Sequence, residues 1–460
     1  MTPRTRRNLI LGGGWLLALA YAFPGLMSPD SAMQLVQARG GDLIGDWHPP
    51  IMAEGWRLLD RLIAGPFGML VVQTGAFVFG LDALLRRAIR PLAAASLSVA
   101  ILLLPPVLAP MAVIWKDSQM AGFLLAGAAL LLAERRSHRV LGLGLLVIAT
   151  AMRYNAAAAT LPLVALLLDE SPRWWRRHAI AVAAWLGVAI LAFGVNRAFT
   201  ERRDHAWHNS LALFDIVGTI RFAPDYRDAD IERDLAGAPL VVHEAIQARC
   251  RSEYTPSGHF GLTHGERRIF DLPFDTRLDE TAAGWTRVVT GHLGAYLRHR
   301  LAVFVSTTGL DGTVDSPVHS SFGDEDYARQ LHFSTQRSAL QARWNRVMRL
   351  CAQTWLFRPY VYLLVSILIL PLCRSRLAAA LLLSGLLYEL GLFIVAPSTD
   401  FRYSHWMIIT TVIGVVLSIR SRLDLRSTRI RRAVRPAAAS PSAAPGSAAP
   451  PPAHRAAVPG

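Results

Sequence analysis

Lysine is almost missing from this chain: Lys116 is the single one among 48 Lys and Arg residues. So strong a preference for arginine has the look of genome composition, and it makes the one ammonium conspicuous. Cysteine is scarce too, with three in 460 residues, which excludes a disulfide framework. Cys250 and Cys351 fall on one side of the membrane in the topology read below, where a bridge between them is chemically open. Cys373 falls at an inner boundary and should stay reduced. Charge is the third shortage. Only 18% of residues are charged and 52% are hydrophobic, whereas a soluble chain of this length divides into domains and carries about a quarter charged residues. No fixed-period repeat is present, which excludes a solenoid. The net charge of +15 invites a nucleic-acid partner, but its distribution opposes one. Residues 420–460 hold eight Arg and one Asp, about half of the excess. The other Arg sit largely in short clusters between apolar runs, as membrane orientation requires.

What is present is a succession of apolar runs, so the expected fold class is an all-α polytopic membrane protein. Arg4, Arg6 and Arg7 precede the first run, Ile10 to Phe23, and put the N-terminus inside. Ala18-Leu19-Ala20 resembles a signal-peptide cleavage site; a retained helix is the preferred reading, and cleavage would leave the downstream topology unchanged. Further runs are read at 67–85, 92–109 (broken by Pro105-Pro106), 119–133, 140–152, 156–168, 179–196, 354–373, 377–396 and 404–419. That makes about ten transmembrane helices. The two runs flanking Arg153 are too short to cross upright and are read as a pair meeting part-way, with Arg153 and Asn155 shielded by protein. Compact Arg clusters at 4–7, 86–90, 135–139, 173–177, 374–376 and in the tail then all fall inside, and the short outer loops carry only Arg39, Lys116, Arg153 and Arg402.

The organisation expected is an N-terminal transmembrane module, 1–196, with an outer loop at 28–50, followed by a large and mostly helical extracytoplasmic segment, 197–353. C-terminal helices fill 354–420. A basic, Pro/Ala-rich cytoplasmic tail, 421–460, lacks the apolar surface to fold, and its Arg-rich start suits anionic headgroups. IMAEGWRLLDRLI, after the first loop, is amphipathic and belongs in the outer interface. Residues 301–310 are too short to cross and are expected to dip into that interface.

Polar motifs gather at the outer helix ends: S-P-D-S (28–31), D-W-H-P-P (46–50), W-K-D-S (115–118), R-Y-N (153–155) and D-F-R-Y (400–403). Carboxylates such as Asp30, Asp46 and Asp117 suit a general base or a bound divalent cation. No metal ligand set is assigned. Lys116, Arg153 and Arg402 supply charge-assisted donors for phosphate. His48, Trp47, Asn155, Asp400 and Tyr403 complete a candidate substrate surface, the aromatics stacking on sugar or merely joining the interfacial belt. Each has a plainer alternative. Asp30 could cap a helix, Lys116–Asp117 and Asp400–Arg402 could pair locally, Arg153 could anchor a hairpin, and His48 could shape a turn. Glu389 lies within a run, so it should face the interior and find a partner or be protonated. Asp82, nearer an edge, reads as structural, and G-G-D-L at Asp42 as a turn.

The order and sidedness of these motifs resemble bacterial multi-spanning glycosyltransferases of the GT-C superfamily, which includes protein O-mannosyltransferases and arabinosyl- and aminoarabinose transferases. The resemblance covers roughly 1–200 and 350–420, and H-L-G-A-Y-L-R-H-R-L (292–301) resembles the interfacial helix of many members. It implies a polyprenyl-phosphate-linked sugar donor, a cell-envelope acceptor (glycan, lipid or protein) and inverting transfer on the extracytoplasmic face of the bacterial cytoplasmic membrane. Asp30 becomes the base and Asp117 a second functional carboxylate. Many members carry two adjacent acids in the first loop. Here Asp30 stands alone until Asp42 and Asp46, so Asp46 is a candidate to share the role. The competing readings are a transporter or flippase for a lipid-linked glycan, using the same charges as a transit path, and a surface-polysaccharide polymerase or ligase.

Overall fold

A computed structural model describes residues 1–167, 173–273, 276–321, 329–331 and 337–434. Those residues are helical, with no strand beyond four isolated bridges. Every expected apolar run is a helix: α1 (Pro3–Ala22), α4 (Phe67–Leu85), α5 (Pro91–Leu103) with α6 (Pro105–Met111), α7 (Lys116–Leu131), α8 (Arg136–Met152), α9 (Ala156–Leu167), α10 (Trp174–Phe199), α18 (Pro359–Ile369), α19 (Arg376–Val395) and α20 (His405–Val434). Among the described residues four segments are long and apolar enough to cross a membrane: α4, α10, α19 and Phe401–Leu423. The α5–α6 pair, bent by 70° at Leu104, makes a fifth as one broken span. The bend follows from Pro105-Pro106, whose rings cannot continue the helix before them. α7, α8 and α9 have 16, 17 and 12 residues, short for an upright crossing. The chain is thus a multi-pass membrane protein with a helix at each of the ten expected places, of which five, the bent pair included, have the length and apolarity of a span.

Small residues let the helices of the N-terminal module approach closely. A Cβ at Gly122 of α7 would lie 2.6 Å from the Gln73 carbonyl oxygen of α4, so only glycine fits this contact. Buried amides tie the same pair to the preceding turn. Gln119 donates to Gln73 Oε1 at 2.8 Å, and Gln73 donates to the carbonyls of Met111 (2.8 Å) and Val113 (3.0 Å). These bonds satisfy groups that lipid could not, and they set the height at which α7 begins.

Before α4 come α2 (Pro29–Ala38) and α3 (Pro50–Asp60), the latter at the place of the expected amphipathic helix. Residues 197–353, the segment expected outside and hereafter the outer segment, contribute α11 (Leu213–Phe222), three short helices α12 (Asp228–Asp234), α13 (Ile246–Glu253) and α14 (Phe260–Thr263), then α15 (Leu278–Gly291), α16 (Leu293–Thr308) and α17 (Ala339–Ala352). It has its own apolar core, in which Phe214, Val217 and Phe270 pack together with Leu392 and Ala396 at the end of α19 and with Tyr403. The stretch 301–310 is therefore the end of α16, one face buried in this core, with Leu297 and Leu301 exposed on the other. The H-L-G-A-Y-L-R-H-R-L stretch forms most of that helix.

Three expectations are corrected. All three cysteines are free: Cys250 is buried in the outer core while Cys351 packs against the membrane core, so no bridge joins them. Asp30 is not a helix cap, because Ser28 takes that position. The basic start of the tail continues α20 to Val434; the disorder expected for 435–460 lies outside the described residues.

Candidate functional site

The loop at 28–50 is shaped by its own sequence. Ser28 caps α2 in a capping box with Ser31, Pro29 occupies the first turn, and Asp30 follows it into that turn. A carboxylate there also meets the positive end of the helix. Residues 26–31 run beside 112–115. Leu26 N donates to Ala112 O at 3.1 Å, Ile114 N to Leu26 O at 2.8 Å, Ser31 Oγ to Ile114 O at 2.6 Å and Trp115 Nε1 to Ser28 Oγ at 2.8 Å. That register brings Asp30 alongside Lys116.

Arg402 arrives from the other end of the chain. Asp400 accepts from the Arg402 amide and opens the turn Phe401–Ser404. The guanidinium is held by Asp400 at 2.9 Å and by Asp30 at 2.8 Å, and its carbon lies 4.7 Å over the Trp115 ring. Arg402 thus meets both acids, so the expected local pair with Asp400 is half of its environment. Arg153 pairs with Asp117, which is fully buried, and stacks 4.5 Å over the Tyr403 ring. The anticipated Lys116–Asp117 pair is therefore replaced by Arg153–Asp117, and Lys116 has no ion-pair partner among the described residues.

Two cavities meet here. One of about 600 Å³ is lined by Asp30, His48, Lys116, Arg402 and Tyr403 on the membrane side, and by Arg202, Asp204, Asn209, His259 and His264 of the outer segment. The other, about 400 Å³, is lined by Asp46, Arg153, Asn155 and apolar Met152, Leu392 and Val395. Trp47, His48, Lys116 and Pro397 line both. Several polar groups wait without partners: His48 Nδ1, Asn155 Nδ2 and Arg402 Nη1 are closed to solvent and make no hydrogen bond. Buried donors and acceptors of this kind are rare unless something else satisfies them.

Burial and charge set the protonation states. Burial opposes ionisation of Asp30, but Arg402 and Lys116 outweigh it and hold the carboxyl well below the usual carboxylate range. Burial, reinforced by the charge of Lys116, lowers His48 to about 3, so its imidazole is neutral. Asp400 moves the other way: burial raises it to about 6 in spite of Arg402. Among the described residues no group of three or more His, Cys, Asp or Glu is placed to hold a metal ion. The carboxylates read as suited to a divalent cation form no such group there.

Of the residues singled out in sequence, Asp30, His48, Trp47, Lys116, Arg402 and Tyr403 share the larger cavity, and Asp46, Arg153 and Asn155 the smaller. Asp117 and Asp400 stand behind them as partners of Arg153 and Arg402. Asp46 accepts from the Asp204 amide at 2.6 Å, and Asp42 forms an exposed pair with Arg202. Glu389 is fully buried and accepts from Ser404 Oγ at 2.7 Å, while Asp82 pairs with Arg7 and Arg86 at the opposite end of α4. The residues that sequence reasoning missed come from the outer segment, which carries no recognisable motif. The polar, aromatic run Asp204 to Asn209 was the available signal. Asp215, His299 and Arg300, buried together in the outer core, were also unforeseen. No protein-family model matches the chain, and no curated protein does. The helical layout is similar to the crystal structure of ArnT from Cupriavidus metallidurans bound to undecaprenyl phosphate, at 14% identity over 89% of this chain and 78% of that one, with a TM-score of 0.35, a superposition too loose to transfer any residue's role.

Proposed function

We propose that the chain is a GT-C-type membrane glycosyltransferase that moves a sugar from a polyprenyl-phosphate donor to a cell-envelope acceptor at the extracytoplasmic face of the bacterial cytoplasmic membrane. One observation carries the reading: the Asp30 carboxylate, the Arg402 guanidinium and the unpaired Lys116 ammonium line one cavity beside apolar helix ends. Cations beside an ionised base suit a reaction in which a hydroxyl loses its proton while a phosphate departs.

In this scheme Asp30 takes the proton of the acceptor hydroxyl. The oxygen forms its bond to the anomeric carbon as the bond to the phosphate oxygen breaks, with inversion. The leaving phosphate carries the electron pair away and is held by Lys116 and Arg402, with Arg153 on the adjoining wall. The resting ion pair gives the order of events a physical basis. While Arg402 grips Asp30 at 2.8 Å, the carboxylate is a poor base. A donor phosphate that draws the guanidinium toward itself loosens that grip and raises the basicity of Asp30 when substrate is present. A transit path would spread its charges through the membrane depth, whereas here they collect at one set of helix ends.

The deciding experiment is sugar transfer by purified protein from a panel of polyprenyl-phosphate sugars. Transfer from one donor, abolished in Asp30→Asn, supports the scheme. Vesicle-to-vesicle movement of lipid-linked glycan without any transfer would replace it with the transporter.

A further inference from the structure

A second basic hollow shares none of the described residues that line either cavity of the candidate site. α17 begins with a capping box between Ser338 and Gln341. It is tied to the end of α1, where Tyr21 OH donates to Asn345 Oδ1 at 2.9 Å and Gln341 Nε2 donates to the Phe23 carbonyl at 2.6 Å. Against this helix lies a cavity of about 410 Å³ lined by Arg337, Asn345, Arg346, Arg349 and Gln353, with no carboxylate among the described residues of its wall. Among the described residues Arg346 has no ion-pair partner, and Arg349 reaches only Ser320 Oγ at 3.4 Å. Asn345 is 4% exposed, and its Nδ2 is closed to solvent without a hydrogen-bond partner.

The described part of the wall is rich in donors and has no anionic acceptor, and one of those donors has already been desolvated. Two guanidinium forks and an amide N–H match the oxygens of a phosphate. The surroundings indicate where the phosphate comes from. Arg343, Arg346, Val347 and Leu350 follow helical spacing along one stripe. Val347 and Leu350 are exposed, as is Trp355 just beyond the helix. Arginine beside exposed aliphatic and indole groups is the composition of a helix lying in a bilayer interface, and α17 sits where α1 ends. We propose that this cavity binds the phosphate of an anionic phospholipid headgroup, with Arg346 and Arg349 as its principal ligands.

The test is native mass spectrometry of the full-length protein titrated with phosphatidylglycerol or phosphatidylcholine. Wild type is expected to retain phosphatidylglycerol at least about ten-fold more strongly than R346Q/R349Q, the scale of two interfacial arginines. Phosphatidylcholine, whose phosphate is offset by its own choline cation, should be retained equally by the two proteins. R343Q, on the same helix but outside the cavity wall, should retain phosphatidylglycerol as wild type does. Arg346 and Arg349 are exposed, so their loss leaves the packing intact. Equal retention by wild type and R346Q/R349Q overturns the proposal, as does an equal loss in R343Q, which would mean diffuse surface charge. Saturable binding of inorganic phosphate with no preference for phosphatidylglycerol would overturn the lipid assignment.

Discussion

Asp30 is the residue on which the proposed chemistry turns, and its surroundings make a graded prediction. Asp30→Asn keeps the shape of the first turn of α2 and removes the basic oxygen. Transfer should fall by about two orders of magnitude or more, with expression and insertion unchanged. Asp42→Asn should do little, because that side chain forms an exposed pair with Arg202. Asp46→Asn should fall between, since it orders the Asp204 backbone at the cavity wall. Near-normal turnover in the Asp30 variant would move the base to Asp46 or Asp117. Lys116→Arg tests the unpaired ammonium. A planar fork in place of a compact charge should lower transfer roughly ten- to a hundred-fold if the site holds phosphate closely, and full activity would return Lys116 to an interfacial role.

The pH dependence separates two acids that hold the same guanidinium. Asp30 lies well below the usual carboxylate range, so it stays ionised at working pH and adds no acid limb to the rate profile. Its contribution to stability is present above the ordinary carboxylate value and is lost as pH falls through its folded value. Asp400 is raised to about 6, and the sign reverses: its contribution is full below the ordinary value and is lost as pH rises through about 6. Below about 6 the neutral Asp400 no longer holds Arg402 as an ion. Transfer should therefore fall on the acid side with an apparent pKa near 6, and Asp400→Asn should abolish that limb while unfolding at an equal or higher temperature above pH 6. A limb that persists in Asp400→Asn assigns the titration elsewhere.

At the scale of elements, α7 carries Lys116 and Asp117 at its N-terminal end and Gly122 at its contact with α4. Gly122→Leu would force the helices apart against backbone, an overpacking cost of about 1–3 kcal/mol. A lower unfolding temperature together with a raised KM for the donor is expected, because the displacement carries Lys116 with it. An unchanged unfolding temperature would show that α4 and α7 are not packed through this glycine. The turn Asp400–Ser404 is the complementary element. Thr399 N donates to Ser257 O at 3.0 Å and Phe401 N to Asp315 O at 3.0 Å, so the outer segment holds the loop that presents Arg402.

For the whole molecule, the shared-face argument predicts sidedness. A cysteine at the exposed Tyr154 should label from outside, and one at the exposed Ser137 from the cytoplasm. Labelling of position 154 from the cytoplasm would remove Arg153 from the proposed site. Ser31 and Ser118, which the topology also places outside, are fully buried and would not report. Thiol counting under denaturing, non-reducing conditions should find all three cysteines free.

Helix positions were legible because lipid allows few alternatives: apolar runs, prolines and arginine clusters mark where a chain enters, bends and leaves a bilayer. S-P-D-S already encodes the start of α2, and the first-loop, W-K-D, R-Y-N and D-F-R-Y motifs already name the charged residues on the membrane side of the cavities. Partnership was not legible. Asp117 neighbours Lys116 in sequence yet pairs with Arg153, and Asp30 meets Arg402 across 372 residues. Adjacent residues at a helix start point in different directions, and which distant cation each meets depends on how α7, α8 and the last outer turn pack. The outer-segment wall of Arg202, Asn209, His259 and His264 was hidden for the same reason, since short irregular helices leave no periodic trace. The sequence by itself determined a membrane protein with charge gathered at one set of helix ends; only tertiary packing decided which acid is ionised, which cation is unpaired and which donors are left for a ligand.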